Sequence, residues 1–329
     1  MATEVKNKKN PSQATTKIKQ SDERPWADRF FYIIVGLSII FWAFAFPLIK
    51  IGLKELTPEN LAILRLFIAS LIFFIILICN PKKFSKLQRK DVPILFLLGF
   101  IGVSIYHLSI NYGEQYVSAG TASLIIATIP IFVVIFAVLF LSEKISLMAF
   151  LGIILSLVGV AIISLWGTPE ASLEIIYLSG AAAVLLASIV GAMYTIVGKK
   201  LIRRYTPLSL TAYAFLIGNT GLLVFLRPLF FTQVFSLSVE GWLAVLFLAC
   251  FPTVIAYTFW YSALEVRKAS ELTVYLYFTP VISTLASYLI LNEGITIWYI
   301  IGGFLVILGL YVVNKKRSTV KFAKKIQRF

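Results

Sequence analysis

Residues 119–141 read AGTASLIIATIPIFVVIFAVLFL and carry no charged side chain from end to end. Wound as a helix at about 1.5 Å per residue, a run of this length crosses the roughly 30 Å hydrocarbon core of a bilayer. A helix on a soluble protein keeps one polar face for water, and this run offers none. It reads as a transmembrane helix. Residues 269–291, ASELTVYLYFTPVISTLASYLIL, repeat the pattern with a single acidic residue near the start.

Comparable apolar runs fall at 29–50, 59–79, 92–112, 119–141, 145–166, 173–197, 208–228, 240–262, 270–291 and 295–313, ten predicted spans in all. The connections are short and often carry Pro, Gly or Asn, and none could hold an extramembrane domain. Composition agrees, with 59% hydrophobic and 14% charged residues against about half and about a quarter in soluble domains. A length of 329 residues alone would allow two soluble domains. The apolar runs exclude them, and the fold class is an all-α polytopic membrane protein.

The net charge of +15 does not point to nucleic acid, because the basic residues sit in tails and short loops and form no soluble basic face. They orient the spans instead. With the N-terminus inside, the internal loops carry Lys82, Lys83, Lys86, Arg89 and Lys90, then Lys144, then Lys199, Lys200, Arg203 and Arg204, then Arg267 and Lys268. The external side has Lys50, Lys54 and Arg227, all near span ends. This asymmetry is the positive-inside pattern, and it places both termini in the cytoplasm of a multi-pass protein of the cell membrane, with lipid as a partner. Residues 1–28 are polar and lysine-rich without an apolar core, so they read as a disordered cytoplasmic tail and not a secretory signal. The basic stretch 314–329 reads as a second tail. Cys79 and Cys250 each sit at or inside an apolar run and read as packing residues, not a disulfide framework.

The two halves repeat. A shift of 150 residues lays Ala119 on Ala269, Pro130 on Pro280, Leu141 on Leu291, Glu143 on Glu293, Ile145 on Ile295, Gly152 on Gly302 and Gly159 on Gly309. A shift of 149 pairs Thr57-Pro58 with Thr206-Pro207. The halves are then 29–166 and 173–313, each of five spans. Five is odd, so the second half enters the membrane inverted, and the position of the basic loops in each half agrees. Inverted repeats characterise carriers that alternate access around a site at the midplane.

Trp42-Ala43-Phe44-Ala45-Phe46, Lys50, Pro58 and Arg65 resemble the first two helices of EamA-type members of the drug/metabolite transporter superfamily. Tyr112 through Ser118-Ala119-Gly120, Pro130, Glu143, Gly152 and Gly159 extend the resemblance, and the second half echoes them. It covers about residues 30–313. It implies ten helices in two EamA repeats, cytoplasmic termini, and export or uptake of small metabolites such as amino acids. It does not fix the substrate.

Every one of the 15 acidic side chains falls in a tail, in a loop or within about a turn of a predicted span end. Small multidrug members of the superfamily use a glutamate inside the first helix; here that helix offers Ser38, Trp42 and other aromatics. The absence of a mid-membrane carboxylate argues against lipophilic cations as substrates, and neutralising Glu114, Glu265 or Glu271 is expected to leave binding largely intact. Glu143 and Glu293 read as first-turn residues of the following helices, capped by Ser142 and Asn292. Pro130 and Pro280 should bend their spans. Lys50 can snorkel to the outer interface. Arg65 lies about two turns into the second span, where both an ion pair or carbonyl contact and a substrate contact are open, and Ala214 takes the aligned place.

For the site, aromatic and polar side chains well inside the first, third, sixth, eighth and ninth spans are the candidates: Trp42, Tyr106, His107, Tyr194, Tyr257 and Tyr275. Rings can hold an apolar side chain while hydroxyl, indole and imidazole groups orient a polar head. Trp260, Tyr261 and Tyr277 fit an interfacial belt equally well. Asn111 and Asn219 add amides able to orient a ligand. His107 is the one histidine, readable also as a hydrogen-bonded packing residue, and cannot make a metal site alone. Glycines 36, 99, 102, 152, 159, 218, 302 and 309 permit close helix approach.

An intramembrane serine protease would need Ser and His on facing helices, whereas Ser104 and His107 share one. No metal-ligand cluster or phosphate-cradling loop appears, so neither an enzyme nor a cofactor is expected. The sequence thus describes a secondary transporter of amino acids or similar neutral, zwitterionic or anionic solutes. Nucleoside or vitamin transport, or a passive channel or scramblase, stand as alternatives. The topology is directly testable. In a background lacking Cys79 and Cys250, Lys86→Cys and Arg203→Cys should label only from the cytoplasm and Ala171→Cys only from outside. Labelling of positions 86 and 171 from one side overturns the orientation.

Overall fold

The computed structural model describes residues 25–141, 147–167, 175–267 and 269–326. Ser142, Glu143, Lys144, Ala171 and Lys268, each named above, lie outside the described residues. Among the described residues every regular element is helical. They are α1 (Pro25–Gly52), α2 (Pro58–Cys79), α3 (Arg89–Tyr116), α4 (Ala119–Ile126, resuming as Ile129–Leu141), α5 (Leu147–Trp166) and α6 (Ile175–Leu201). Then come α7 (Pro207–Phe225), α8 (Val239–Val266), α9 (Ala269–Leu272, Thr273–Tyr277 and Phe278–Leu291 end to end) and α10 (Ile297–Ile326). A short unlabelled helix, Pro228–Phe235, follows α7. Seven of these, α1 to α4 and α6 to α8, contain segments long and apolar enough to cross a membrane, and the apolar parts of α5, α9 and α10 are shorter.

The exposed surface confirms the solvent. Phe150, Ile154 and Val158 on α5 and Trp298, Ile301 and Phe304 on α10 all face outward. A continuous apolar exterior of this kind suits lipid chains and not water. The chain is a multi-pass, all-helical membrane protein.

Local chemistry sets the helix starts. Thr57 holds an extended backbone and its hydroxyl accepts from the Asn60 N–H at 3.3 Å, with Pro58 at the first helical position. Thr206 and Pro207 open α7 in the same way, accepting from Ser209 N–H at 3.3 Å. Pro is favoured there because the first turn leaves its missing N–H without consequence. The paired Thr-Pro dipeptides of the sequence are thus paired helix caps. Some boundaries differ from the sequence reading. α3 continues to Tyr116, four residues beyond its predicted end, and α10 continues to Ile326 past Asn314. No Gly or Pro interrupts residues 310–326, and Lys and Arg are good helix formers, so nothing stops the helix where a tail was expected.

Loops join the halves at both ends. Arg204 Nη1 donates to Asp91 Oδ1 at 2.6 Å, the Tyr205 hydroxyl donates to Asp91 Oδ2 at 2.9 Å, and the Tyr213 hydroxyl donates to the Ser85 carbonyl at 2.7 Å. At the opposite end of α2, Glu55 accepts from Ser238 N–H at 2.7 Å and from its hydroxyl at 2.6 Å. Those donors hold the Glu55 carboxyl below its usual range.

Both predicted proline bends are realised as altered turns just before the ring. α4 breaks at Ala127 and Thr128, ahead of Pro130. α9 tightens to a 3₁₀ turn over Thr273–Tyr277, ahead of Pro280. Glu293 and Asn292 depart from the sequence reading. Asn292 adopts φ 54°, ψ 33° and closes α9 as a left-handed C-cap. The Glu293 carboxylate reaches another helix, accepting from Ala119 N–H at 2.8 Å and Gly120 N–H at 3.1 Å at the start of α4. The N–H groups it satisfies are orphans of a helix terminus, as expected, but not of the helix that follows it in sequence.

Helices touch at glycines. A Cβ at Gly218 would lie 2.3 Å from Gly99 Cα where α3 and α7 cross, and one at Gly159 would lie 2.6 Å from the Gly302 carbonyl oxygen where α5 meets α10. Gly36, by contrast, has nothing within 4 Å. Gly218→Val should therefore lower the melting temperature in detergent by the equivalent of about 1–3 kcal/mol or more, while Gly36→Ala leaves it unchanged. Equal melting of the two variants would refute the crossing.

Candidate functional site

A cavity of about 70 Å³ lies among α1, α2, α3, α4, α6, α8 and α9, several times the space one water needs. Its construction depends on two wide turns. Phe100–Ile105 in α3 and Ala249–Ile255 in α8 are π-helical. In α8 the cause is visible, because Pro252 inside the helix cannot donate an N–H. The Pro252 carbonyl accepts instead from Trp42 Nε1 at 2.9 Å, which fixes the indole at the cavity wall. Thr253, in the same turn, donates its hydroxyl to the Leu248 carbonyl five residues back at 2.7 Å and accepts from Arg65 Nε at 3.1 Å.

Five of the six sequence candidates meet here. Trp42, Tyr106, His107, Tyr194 and Tyr257 all line the cavity. Tyr257 is the hub, with ring centroids 5.7 Å from Trp42, 5.5 Å from Tyr194 and 6.2 Å from His107. The Trp42 and Tyr194 contacts are edge-on, a favoured arrangement for aromatic pairs. Gly102 makes room for one of them, since a Cβ there would sit 2.6 Å from the Tyr194 ring. Tyr275 is placed elsewhere, against Phe31 at 6.0 Å and Tyr32 at 6.4 Å. The 3₁₀ turn turns about 120° per residue where an α-helix turns about 100°, so the face predicted for Tyr275 is taken by Leu276 and Thr279.

Arg65 is the residue whose role the sequence left open. It is 2% exposed, lines the cavity, and its Nη1 has no hydrogen-bond partner. Among the described residues no carboxylate lies within ion-pair distance of it. The Thr279 hydroxyl and both His107 ring nitrogens are likewise buried without partners. His107 was readable as a hydrogen-bonded packing residue, and the structure gives it no bond. Buried polar groups are nearly always satisfied, so a cluster of unsatisfied ones around a cavity marks where a solute or its water is held.

Asn111 and Asn219, expected to orient a ligand, join helices instead. Asn111 Nδ2 donates to the Pro58 carbonyl at 3.0 Å. Asn219 accepts from Ser104 at 3.1 Å and donates to Ser70 Oγ at 3.0 Å. Ser104 therefore faces Asn219 and not His107. Among the described residues no three His, Cys, Asp or Glu side chains cluster to hold a metal. Glu114 lies within a turn of the end of α3, as expected of the acids, yet it is deeply buried. Glu114 is 0% exposed, because α3 extends past it and carries it inside.

A cavity walled by seven helices of a membrane bundle and lined by aromatic, aliphatic and a few polar side chains is the kind of site a membrane transporter uses. Comparison with known proteins supplies the family. The EamA-like transporter family matches residues 29–165 and again 178–315. The chain is 38% identical over 286 residues to an uncharacterized transporter of Archaeoglobus fulgidus, covering 87% of this chain and 99% of the relative. It is 34% identical over 275 residues to the uncharacterized transporter YdfC of Bacillus subtilis, covering 84% and 88%. It is 31% identical over 283 residues to a probable terminal-alkyne amino-acid exporter of Streptantibioticus cattleyicolor, covering 85% and 92%. A crystal structure of a protein 17% identical superposes with a TM-score of 0.61, covering 90% of this chain and 99% of that one, and supports the fold. The chain belongs to the EamA-like transporter family.

The Arg65–Thr253 contact carries a prediction. Thr253→Val keeps the shape but leaves a buried guanidinium Nε without its acceptor, so stability should fall by about 1–3 kcal/mol. An unchanged melting temperature would mean that Arg65 is held by something else.

Proposed function

We propose that the chain carries small carboxylate-bearing metabolites across the cell membrane by alternating access, with hydrophobic amino acids first and export as the direction. In this reading ten helices form two inverted five-helix halves, 29–166 and 173–313, with both termini in the cytoplasm. The substrate sits between the halves, touched by Trp42, Tyr106, His107, Tyr194 and Tyr257. Tyr275, a candidate on sequence grounds, takes no part from its place against Phe31.

The observation that carries this reading is the buried Arg65 guanidinium on the cavity wall, with no ion-pair partner among the described residues and its Nη1 without a hydrogen bond. A buried cation needs a counter-charge, and a bound carboxylate supplies one with charge-assisted hydrogen bonds. The Trp42 and Tyr257 rings then accept an apolar side chain, and a cationic drug would meet Arg65 as a like charge. The name of the Streptantibioticus relative, an amino-acid exporter, points the same way.

Thermal-shift measurement on purified full-length protein tests it, because a ligand that binds the folded state raises its melting temperature. L-Leucine and L-phenylalanine should raise it, while their decarboxylated amines should not. A response to nucleosides or to amines alone overturns the substrate class. Within the site, Trp42→Ala, His107→Ala and Tyr257→Phe should each weaken amino-acid binding about five- to tenfold, as expected for contacts of about 1 kcal/mol. Arg65→Gln should cost on the order of 10- to 100-fold, the loss of a charged hydrogen-bonding partner. If all four variants lose stability but keep affinity, the site is elsewhere.

A further inference from the structure

Glu114 stands one helical turn beyond Ile110, a residue of the cavity wall, on the last turns of α3. It is fully buried, and neither carboxylate oxygen has a hydrogen-bond partner. The charged groups that act on it are Lys50 from α1, Arg65 from α2 and Glu293 from beyond α9. α6 packs along the same stretch and brings the phenol of Tyr177 to this end, its Lys199 and Lys200 lying at the other. Glu59 on α2 is exposed. Among the described residues neither Lys50 nor Arg65 is within ion-pair distance of Glu114. The Glu293 oxygens are already engaged by the Ala119 and Gly120 N–H groups.

We infer that Glu114 is a proton-binding site, taking up a proton when a carboxylate occupies the cavity at Arg65 and releasing it when the cavity empties. An ionised carboxylate buried without hydrogen bonds is costly, and a proton added to one oxygen removes the charge. What supports the ionised form is the field of two cations, Lys50 and Arg65, acting through a medium of low dielectric. A carboxylate bound at Arg65 cancels one of them. The remaining field opposes the burial less, so Glu114 binds a proton more tightly and takes up a further fraction of one from solvent. Nothing else changes covalently: one O–H bond forms on occupation, and the same bond breaks on release. By linkage the effect is reciprocal, so protonation of Glu114 also tightens binding of the anion. This part rests on the carboxylate reading given above, whereas the proton site itself does not.

Infrared difference spectra of the full chain in lipid nanodiscs, recorded across pH, test the site without any ligand. Wild type should show the carbonyl band of a buried protonated carboxyl, Glu114→Asp should shift it, and Glu114→Gln should abolish it while keeping the wild-type melting temperature. Spectra that are the same in wild type and Glu114→Gln overturn the inference. Calorimetric titration with L-leucine in buffers of different ionisation enthalpy tests the coupling. Wild type should take up a fraction of a proton per leucine bound, and Glu114→Gln none. Leucine binding without proton uptake overturns the coupling and leaves the transport reading standing. A Glu114 band with no amino-acid binding keeps the proton site and removes the substrate reading.

Discussion

In hydrocarbon no water is present to satisfy a backbone N–H or C=O, so each must find a partner in the protein. This requirement makes every described regular element a helix, and it also decides where a helix can depart from ideal geometry. Among the departures are the π-turns of α3 and α8, the break at Ala127 and Thr128, and the 3₁₀ turn of α9. Gly102, Ala127 and Leu276 bring three of them to the cavity wall, and Pro252 and Thr253 of the α8 turn hold the lining residues Trp42 and Arg65. Carbonyls set free by the wide turns are taken up by side chains, as Pro252 is by Trp42. Irregular backbone thus accompanies the cavity wall, while the 3₁₀ end of α7, Asn219–Phe225, lies at the exposed surface.

The same economy governs charge. Asp91 and Arg204 pair near one end, and Glu55 and Glu293 are satisfied by N–H groups and a hydroxyl. Among the described Lys, Arg, Asp and Glu side chains only Arg65 and Glu114 are buried with unsatisfied atoms, and they act on each other electrically. Their separation leaves room between opposite charges that the protein does not close. A fold that needed them only for stability would bring them into contact, since an unpaired buried charge is destabilising.

Much of this was legible in the residues. Charge-free runs gave the spans, and the Thr-Pro dipeptides marked two helix caps, because both signals are local. The aromatic candidates meet at the cavity because depth within a span correlates with distance from the lipid headgroups. Tyr275 failed because a proline five residues later changes the turn under it, and rotation about a helix axis is not readable from spacing alone. Glu114 was placed just beyond the third predicted span because hydropathy falls before the helix stops; Gly113, Glu114 and Gln115 look like a loop and fold as helix. Asn111 and Glu293 were assigned to local or ligand roles, while their partners Pro58 and Ala119 lie on other helices. Contacts of that kind belong to the assembled bundle.

The two π-turns also bear on history. A π-turn amounts to one residue inserted into a helix, and those at Phe100–Ile105 and Ala249–Ile255 occupy places that the 150-residue shift superposes. Two independent insertions at one aligned place are a poor explanation for this. The simpler one is that a single ancestral half already carried the extra residue before its gene was duplicated. The proline then belongs to one copy alone, added at position 252 where a donor was already dispensable, while Gly102 kept the other copy open to Tyr194. Duplication thus supplied two similar wide turns, and divergence gave one a proline and the other a glycine.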